Sequence, residues 1–364
     1  MKISQITETL EDFAPLDLQE SFDNSGIQVG DISQTVKGIL LSLDVTEEVL
    51  EEALQLGCNL IISHHPLLFK PIKKLTGKTY IERCVIKACK NDLVIYAAHT
   101  NVDNAFGGLN FYLAEKLGLQ NRQILGPQKE NLLKLVTFVP EAQAEMVRNA
   151  LFDAGAGCIG NYDLCSFNVP GTGTFRAGEQ THPFVGNRHE LHTEPEIRIE
   201  TILPDRKKSA VLQALLAVHP YEEPAYDFYS LANDRNRAGS GIAGELPCPE
   251  QEEVFLQRIK TDFKLQSIKH SPFTGKEIRK VALCGGSGAF LIPDAIACGA
   301  DVFITGEAKY NDYYDVENKI LLAVIGHYES EIITKELFYD VITKKITNFA
   351  VHFSKTNSNP VHYL

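Results

Sequence analysis

The sequence lacks three features that would mark a secreted or membrane protein. Its eight cysteines form no CxxC pair, so we expect small buried hydrophobes rather than a disulfide framework. The apolar runs, such as ILLAVIG at 320–326, have the length of a strand and are far too short to span a membrane. The N-terminal stretch MKISQITETLEDFAPLD lacks the apolar core of a signal peptide. These absences predict a cytoplasmic protein.

An excess of positive charge is also missing, because the formal net charge at pH 7 is −12. Such a chain offers no broad cationic surface to nucleic acid or to an anionic membrane, although a local basic pocket for a small anion is compatible with it. The length of 364 residues favours two or three domains.

Strands and helices alternate in the first third of the chain. Apolar segments at 38–46, 59–65 and 94–100 are typical of buried strands, and amphipathic segments at 47–58 and 80–91 are typical of helices. This alternation predicts an α/β lobe with a largely parallel sheet.

The last third repeats the pattern, with strands predicted at 280–288, 301–308 and 319–327 and a helix at 289–300. The segments LGCNLIISHHP and CGADVFITGEA each join a helix-ending glycine to an apolar strand and a polar pair. We therefore predict two related α/β lobes, residues 1–127 and 237–364, that enclose one cleft.

The middle of the chain changes to the order β-α-β-β-α-β, with strands predicted at 132–140, 163–178, 196–204 and 225–231 and helices at 141–157 and 205–218. This is the element order of a ferredoxin-like α+β domain. We predict that residues 128–236 form such a domain, inserted between the lobes, and that LANDRNRAGSG at 231–241 is the return linker.

Two adjacent histidines, His64 and His65, follow an apolar segment in the motif ISHHPLLF. Neighbouring side chains of a regular strand point to opposite faces, so these two converge only where the strand ends. Pro66 marks that end, and open α/β sheets place their sites at the carboxyl ends of strands. The alternative is an exposed loop pair without a role.

A second cluster lies in AAHTNVDNAFGGLN at 97–110, where His99 closes a strand and Asp103 follows four residues later. A carboxylate here suits a hard or borderline cation and can bridge two ions. The alternative is that Asp103 or Asn104 caps the next helix and that His99 forms a local hydrogen bond.

A third cluster, VIGHYESE at 324–331, places His327 and Glu331 four residues apart at the start of a helix. Positions i and i+4 share one helix face, so the imidazole and the carboxylate can bind one ion, as the two histidines of HExxH do. The alternative is an acidic residue favoured by the helix dipole beside a chance histidine.

The three clusters together predict a metal site, because they all lie at carboxyl ends of strands and come from both lobes. Three histidines, an aspartate and a glutamate, with His99 in addition, exceed the ligand number of a closed structural zinc site. They suit two ions a few ångströms apart with open positions for water. Since the clusters contain no cysteine, we expect Zn, Mn, Fe or Ni.

These motifs, together with SFDNSGIQVG at 21–30, LSLDVT at 41–46 and ADVFITGEAKY at 300–310, resemble those of the NGG-interacting-factor-three-like family. Members of that family are named as homologues of GTP cyclohydrolase I type 2. The resemblance covers both lobes. The middle domain, with HPYEEPAYD at 219–227, resembles the PII-like or CutA-like insert of the longer bacterial members.

The resemblance implies a ring-shaped homohexamer with a dinuclear site that holds two divalent metal ions per subunit. By motif position, the implied metal ligands are His64, His65, Asp103, His327 and Glu331. His99 is then either a further metal ligand or a neighbour that contacts one of the ligands.

Two positions depart from the family pattern. Relatives often have Trp where this chain has Phe22, and many have His where it has Asn311. We interpret the first difference as one of packing and the second as one that alters acid–base chemistry in the cleft. Neither falls on the five implied ligand positions.

Two further motifs each leave two interpretations open. The glycine-rich CGGSG at 284–288 can cradle a phosphate with its N–H groups or form a turn without an anion, since the P-loop spacing and lysine are missing. HPYEEP at 219–224 can bind a cation through His219, Glu222 and Glu223 or form a rigid turn.

The sequence supports three hypotheses of function. The first is a metal-dependent hydrolase that binds a nucleotide or another small phosphoester in the cleft, with Glu331 or His99 moving protons. The resemblance alone extends this to GTP cyclohydrolase chemistry. The second is a metal-trafficking or regulatory protein without turnover, and the third is a scaffold whose ions only join the lobes. Catalysis predicts that turnover is lost when His64 is replaced by Ala.

Overall fold

The computed structural model describes residues 1–128, 132–160, 162–232, 238–347 and 349–364. Its α-helices are Ile3–Phe13 (α1), Glu47–Gln55 (α2), Tyr80–Lys90 (α3), Thr100–Asn104 (α4), Leu109–Lys116 (α5), Ala144–Asp153 (α6), Lys208–Val218 (α7), Glu252–Asp262 (α8), Ile292–Ala297 (α9), Asp312–Asp315 (α10), His327–Glu331 (α11) and Thr334–Lys345 (α12). Short 3-10 helices are Leu16–Leu18, Glu141–Gln143, Asp205–Lys207 and Ala289–Leu291.

The strands are Gly26–Val29 (β1), Ile39–Ser42 (β2), Leu60–Ser63 (β3), Val94–Ala97 (β4), Gln120–Pro127 (β5), Leu132–Pro140 (β6), Ser166–Arg176 (β7), Leu191–Pro204 (β8), Tyr226–Ser230 (β9), Gly239–Gln251 (β10), Lys269–His270 (β11), Glu277–Cys284 (β12), Val302–Thr305 (β13), Leu321–Val324 (β14) and Val351–Phe353 (β15). They form three sheets.

The chain divides into two compact units, Met1–Gln128 with Asn236–Leu364, and Lys129–Arg235. These limits lie within one residue of the boundaries placed from the sequence, which stay a prediction. Of the predicted return linker, residues 233–237 lie outside the described residues, and its last three residues are wrongly assigned because β10 already begins at Gly239.

The first sheet has the strand order β1-β4-β3-β2-β15, in which β1 is antiparallel to its neighbour and the other strands are parallel. β2, β3 and β4 are buried at every position, because helices cover both faces of the sheet. Ile39 and Leu41 pack on the side of α1 and α12, and Leu40 packs on the side of α2 and α3. A sheet covered on both faces needs consecutive apolar residues, which explains the uninterrupted apolar runs.

The second sheet has the strand order β11-β14-β13-β12-β10-β5. β12, β13 and β14 are parallel to one another, whereas β10, β5 and β11 are antiparallel to their neighbours. The predicted α/β class is therefore confirmed, with parallel strands at the centre of this sheet and antiparallel strands at its edges.

Each predicted lobe contributes one strand to the sheet of the other lobe. β5, from the N-terminal lobe, pairs with β10 in the second sheet, and β15, from the C-terminal region, pairs with β2 in the first. α12 also crosses over, since Phe338 and Ile342 share a core with Ile3 and Ile6 of α1. This exchange holds both sheets within one compact unit.

The second unit has the element order β6-α6-β7-β8-α7-β9 and an antiparallel sheet with the strand order β7-β8-β6-β9. α6 and α7 cover one face of this sheet, with Val147 and Val211 in the core. Glu196 and Glu200 of β8 alternate with the core residue Ile199 and lie on the opposite face. The assignment of this unit as an inserted PII-like or CutA-like domain stays a prediction.

The cysteines are all free, but their environments differ. The expectation that they are small buried hydrophobes holds for Cys58, Cys84 and Cys284 and is wrong for Cys89, Cys158 and Cys248, which are exposed. Among the described residues, no helix is both long enough and apolar enough to cross a membrane.

Candidate metal centre

The chain turns sharply at the end of β3, and this turn brings two histidine rings to one side. The backbone N–H groups of His64 and His65 both donate to the carbonyl of Leu43, at 3.1 and 3.0 Å. The two ring centroids are 5.1 Å apart. Adjacent side chains converge here because the regular pleat has ended, as the sequence predicts.

His99 and Asp103 reach the same place from the end of β4, the strand next to β3. The ring of His99 lies 5.1 Å from that of His64, measured between centroids. The Oδ1 atom of Asp103, on the short helix α4, lies 3.6 Å from Nε2 of His64.

α11 follows β14 of the second sheet and supplies His327 and Glu331. The Oε2 atom of Glu331 lies 2.9 Å from Nε2 of His65 and 3.0 Å from Nε2 of His327. The Nε2 atoms of those two histidines are 3.3 Å apart. Side chains from both sheets therefore meet at one point.

Two groups of side chains offer ligand atoms that all lie within 4.8 Å of one another: His64, His65 and His99, and His65, His327 and Glu331. His65 belongs to both groups, and Asp103 adjoins the first through His64. The structure thus brings all six predicted residues together, while their role as metal ligands stays a prediction.

Hydrogen bonds fix the orientation of three histidine rings. The accepting atoms are a carbonyl or a carboxylate oxygen, so Nδ1–H must donate: His64 to the Ala98 carbonyl (2.9 Å), His65 to Asp44 Oδ1 (2.7 Å) and His99 to Asp23 Oδ1 (2.8 Å). A ring with a proton fixed on Nδ1 presents the Nε2 lone pair, and this is how proteins orient metal-binding histidines.

Several atoms of the cluster are close together without being hydrogen-bonded. Among the described residues, six buried side-chain polar atoms lack a hydrogen-bond partner, and four of them lie here: His64 Nε2, Asp103 Oδ1, His327 Nδ1 and Glu331 Oε2. Leaving one such atom unpaired costs about 1–3 kcal/mol. Imidazole nitrogens and carboxylate oxygens that converge without satisfying one another suit a cation, so the residues present fit divalent metal ions.

Burial and neighbouring charge set the protonation of the histidines. Burial lowers the pKa of His64 to about 4, against the influence of Glu331, so its ring is neutral. Burial also opposes protonation of His65, but the carboxylates of Asp44 and Glu331 outweigh it and raise the pKa of His65 to about 10.

The two carboxylates of the cluster shift in opposite directions. Burial, followed by the charge of Glu331, raises the pKa of Asp103 well above its usual range. Burial opposes ionisation of Glu331 as well, but the nearby nitrogens of His327, His64 and His65 hold the pKa of Glu331 well below its usual range. A cation held by His65 and Asp103 would have to displace their protons, so its binding would release protons and strengthen as the pH rises.

Sequence reasoning missed the residues that support the cluster. Asp44 follows the end of β2, and Glu307, whose Oε1 lies 3.0 Å from Nδ1 of His327, follows the end of β13. Both are carboxylates at carboxyl ends of strands, the same signal that identified the histidines. Asp23 lies in the quoted motif SFDNSGIQVG, but nothing in the sequence indicates that it pairs with His99.

The CGGSG turn is filled by side chains of the protein and does not cradle a phosphate. Three of its N–H groups are already donated: Gly285 to Asn110 Oδ1 (2.9 Å), Gly286 to Ser330 Oγ (3.0 Å) and Gly288 to Thr305 Oγ1 (3.0 Å). Gly286 has a φ of +58°, and a Cβ atom there would lie 2.2 Å from Oε1 of Glu331. The turn without an anion is therefore the correct interpretation, and its glycine makes room for Glu331.

The two departures from the family pattern lie outside the cluster. Phe22 is 64 % exposed, and its ring lies 6.3 Å from that of Phe69, so its packing is with a surface neighbour, and the interpretation of this difference as one of packing stays a prediction. Asn311 is exposed and precedes α10.

A cavity of about 430 Å³ opens onto His65 and His327. Its wall includes the Lys269 side chain and the rings of Tyr328 and Tyr363. The residues of this wall come from both sheets and from the C-terminal segment, so a ligand in the cavity would lie beside the cluster.

An α/β protein with a histidine–carboxylate cluster at the carboxyl ends of its strands belongs to a class that includes metal-dependent enzymes and metal carriers. The family model for Duf34/NIF3 (NGG1p interacting factor 3) matches residues 1–360. The chain therefore belongs to the Duf34/NIF3 family.

Relatives match over their full length. A protein of Halalkalibacterium halodurans named GTP cyclohydrolase 1 type 2 homolog is 38% identical over 100% of both chains. The crystal structure of a Bacillus cereus protein related to NIF3 has a TM-score of 0.87 and 38% identity, covering 100% of this chain and 99% of that one. The crystal structure of the Staphylococcus aureus protein SA1388 has a TM-score of 0.80 and 30% identity, again covering 100% and 99%.

Replacing Ser358 by Ala is expected to weaken metal binding about tenfold, because partners behind a metal ligand contribute roughly 10–100-fold to affinity. The Ser358 hydroxyl donates to Oδ2 of Asp44 (2.6 Å), whose other oxygen orients His65. Titration calorimetry with Zn²⁺ measures the change, and Ser358→Thr, which keeps the hydroxyl, should restore the affinity.

Ser354→Ala is the matched control, since the Ser354 hydroxyl donates to Oε2 of Glu52 (2.6 Å) and, among the described residues, is not hydrogen-bonded to any member of the cluster. It should leave Zn²⁺ affinity unchanged. Equal losses in the two variants would mean that Ser358 acts only by anchoring the C-terminal segment.

Proposed function

We propose that the protein holds two divalent metal ions at this cluster and is a metal-dependent hydrolase acting on a nucleotide or another phosphoester. The observation that carries the proposal is a set of three buried ligand atoms without a hydrogen bond, His64 Nε2, Asp103 Oδ1 and Glu331 Oε2, which come from both sheets and lie beside a cavity of about 430 Å³. A structural site would need no such cavity next to it.

The residues divide into two sets around His65. In this proposal His64, His99 and Asp103 hold one ion, and His327 and Glu331 hold the other, with His65 close to both. Divalent ions bound in such a pair supply Lewis acidity and acidify a coordinated water molecule.

The other side chains of the cavity would bind and orient the substrate. The Lys269 ammonium group can pair with a phosphate, and the rings of Tyr328 and Tyr363 offer apolar faces to a base or sugar. Glu307 also lines the cavity, and its carboxylate can accept a proton next to His327.

The relatives' name, GTP cyclohydrolase 1 type 2 homolog, supports a nucleotide among the candidate substrates. The chain itself carries no purine-reading motif that would select GTP. A homohexameric ring, implied by the family resemblance, and a cytoplasmic location belong to the same proposal.

Replacing Lys269 by Ala is expected to raise KM for a phosphoester about tenfold with little change in kcat, because a hydrogen bond to a charged group contributes about 1.5–3 kcal/mol. The substrates to test on protein loaded with Zn²⁺ or Mn²⁺ are GTP, ATP and bis-p-nitrophenyl phosphate. Lys309→Ala is the control, since Lys309 lines a neighbouring cavity that Lys269 and Glu307 also border, but not the cavity that opens onto His65 and His327. An equal rise in KM in both variants would place the phosphoester in that neighbouring cavity.

Turnover should also disappear in His64→Ala. A protein that binds two ions, turns over none of these substrates and passes its Zn²⁺ to an apo-protein acceptor would be a carrier, and the hydrolase proposal would be wrong.

A further inference from the structure

A second cavity, of about 640 Å³, lies within the unit Lys129–Arg235, near the end of the β7–β8 hairpin. It is lined by the C-terminal half of β7, by residues of β8 and by the loop residues 181–184 and 221–225. None of these residues belongs to the metal centre.

A buried carboxylate lines this cavity. Glu196 is 8 % exposed, and its Oε1 accepts a hydrogen bond of 2.8 Å from the hydroxyl of Tyr221. Its Oε2 has no hydrogen-bond partner among the described residues, and it lies 2.1 Å from the position that a Cβ atom at Gly173 would take. The glycine thus leaves room for a carboxylate whose second oxygen is not sealed from the cavity, so a donor or a cation in the cavity can reach it.

Aromatic rings form the walls around this carboxylate. The ring centroid of Tyr221 lies 5.9 Å from that of Phe175 and 6.4 Å from that of Phe184, and all three residues line the cavity. Aromatic faces attract cations, most strongly where water is excluded.

The basic residues of the lining do not neutralise Glu196. The guanidinium group of Arg198 donates to Oε1 of Glu200 at 2.9 Å. Arg176 also lines the cavity but forms no ion pair or hydrogen bond with Glu196 among the described residues. Glu222 and Glu223 add further negative charge to the rim.

An inorganic cation held by the HPYEEP motif does not fit this arrangement. Both ring nitrogens of His219 are used, because Nε2–H donates to the Phe138 carbonyl (3.0 Å) and Nδ1 accepts the Tyr221 N–H (3.1 Å). The motif is therefore the rigid turn that the sequence offers as one interpretation. Its effect is to hold Tyr221 against Glu196.

We propose that this cavity binds a small organic cation, a primary or quaternary ammonium with an apolar body. The ammonium pairs with Oε2 of Glu196, and the body lies against Phe175, Phe184 and Tyr221. This site is independent of the metal centre and of the proposed hydrolase activity.

The test uses the full chain and two probes of nearly equal shape and opposite charge, 2-phenylethylamine and 3-phenylpropionate. Saturation-transfer NMR and calorimetry should show the amine binding with a Kd on the order of 1 mM. The carboxylate should bind at least tenfold more weakly. Glu196→Gln should weaken amine binding by about tenfold or more, because the charge-assisted contact is lost.

Glu194→Gln is the control, since Glu194 lies on the same strand but pairs with His192 and is not part of the cavity lining. Phe184→Ala is a second variant, in case Glu196→Gln does not fold. The Phe184 side chain is 53 % exposed, so its loss should weaken the binding of the amine without unfolding the unit. The proposal is overturned if the amine fails to bind, if both probes bind equally, or if neither Glu196→Gln nor Phe184→Ala weakens the amine.

Discussion

Replacing Glu331 by Gln is expected to weaken the binding of Zn²⁺ about a hundredfold. The binding free energy of Zn²⁺ in small structural sites is about 10–16 kcal/mol, and four ligands contribute to it. The loss of one ligand therefore costs about 3 kcal/mol, which raises Kd about a hundredfold. Glu331 is the residue for this test because its carboxylate lies within 4 Å of three histidines, His64, His65 and His327.

Glutamine keeps the size of the side chain and removes the charge that attracts the ion. The matched control is Glu329→Gln, on the same short helix, since the Glu329 carboxylate accepts a hydrogen bond from Asn359 and not from the cluster. Titration calorimetry with Zn²⁺ compares the two. An affinity in Glu331→Gln within a factor of two of the wild type would show that Glu331 is not a ligand.

Replacing Gly286 by Ala is expected to destabilise the protein and to impair the metal centre at the same time. A non-glycine residue in the left-handed region costs about 1–2 kcal/mol. The new Cβ atom would also lie 2.2 Å from Oε1 of Glu331, so the carboxylate must move away from the histidines. We expect a loss of metal affinity of at least roughly tenfold, because ligand geometry controls affinity.

Gly299→Ala separates these two effects. Gly299 has a φ of +74°, but a Cβ atom there would meet nothing within 4 Å. Both variants should lose about 1–2 kcal/mol of unfolding free energy in urea titrations. Only Gly286→Ala should lose Zn²⁺ affinity; equal affinities would contradict the proposed contact between the turn and Glu331.

The cluster is readable from the sequence because its signals are local. His64 and His65 sit at the end of an apolar run, and His327 and Glu331 have the spacing of one helix face. Each signal depends on a few adjacent residues, so no knowledge of the remaining chain is needed. The element types of the first and last thirds follow from apolar periodicity in the same way.

The features that the sequence did not reveal depend on long-range pairing. β15 is three residues long, and its pairing with β2 joins positions more than 300 residues apart, which no periodicity can indicate. The same is true of the hydrogen bond between Ser358 and Asp44. The ends of strands also differ from the prediction, since β3 stops at Ser63 whereas the sequence predicts a strand to residue 65. An apolar run shows what is buried and not where the ladder of hydrogen bonds stops.

The most direct test of the central claim is the metal content per chain, measured by mass spectrometry on protein purified without chelators or an affinity metal. We expect about two divalent ions per chain, because two overlapping groups of ligand atoms share His65. Less than about half an ion per chain, not restored by added Zn²⁺, Mn²⁺ or Fe²⁺, would contradict it. The unpartnered atoms of the cluster would then have a cause other than metal binding.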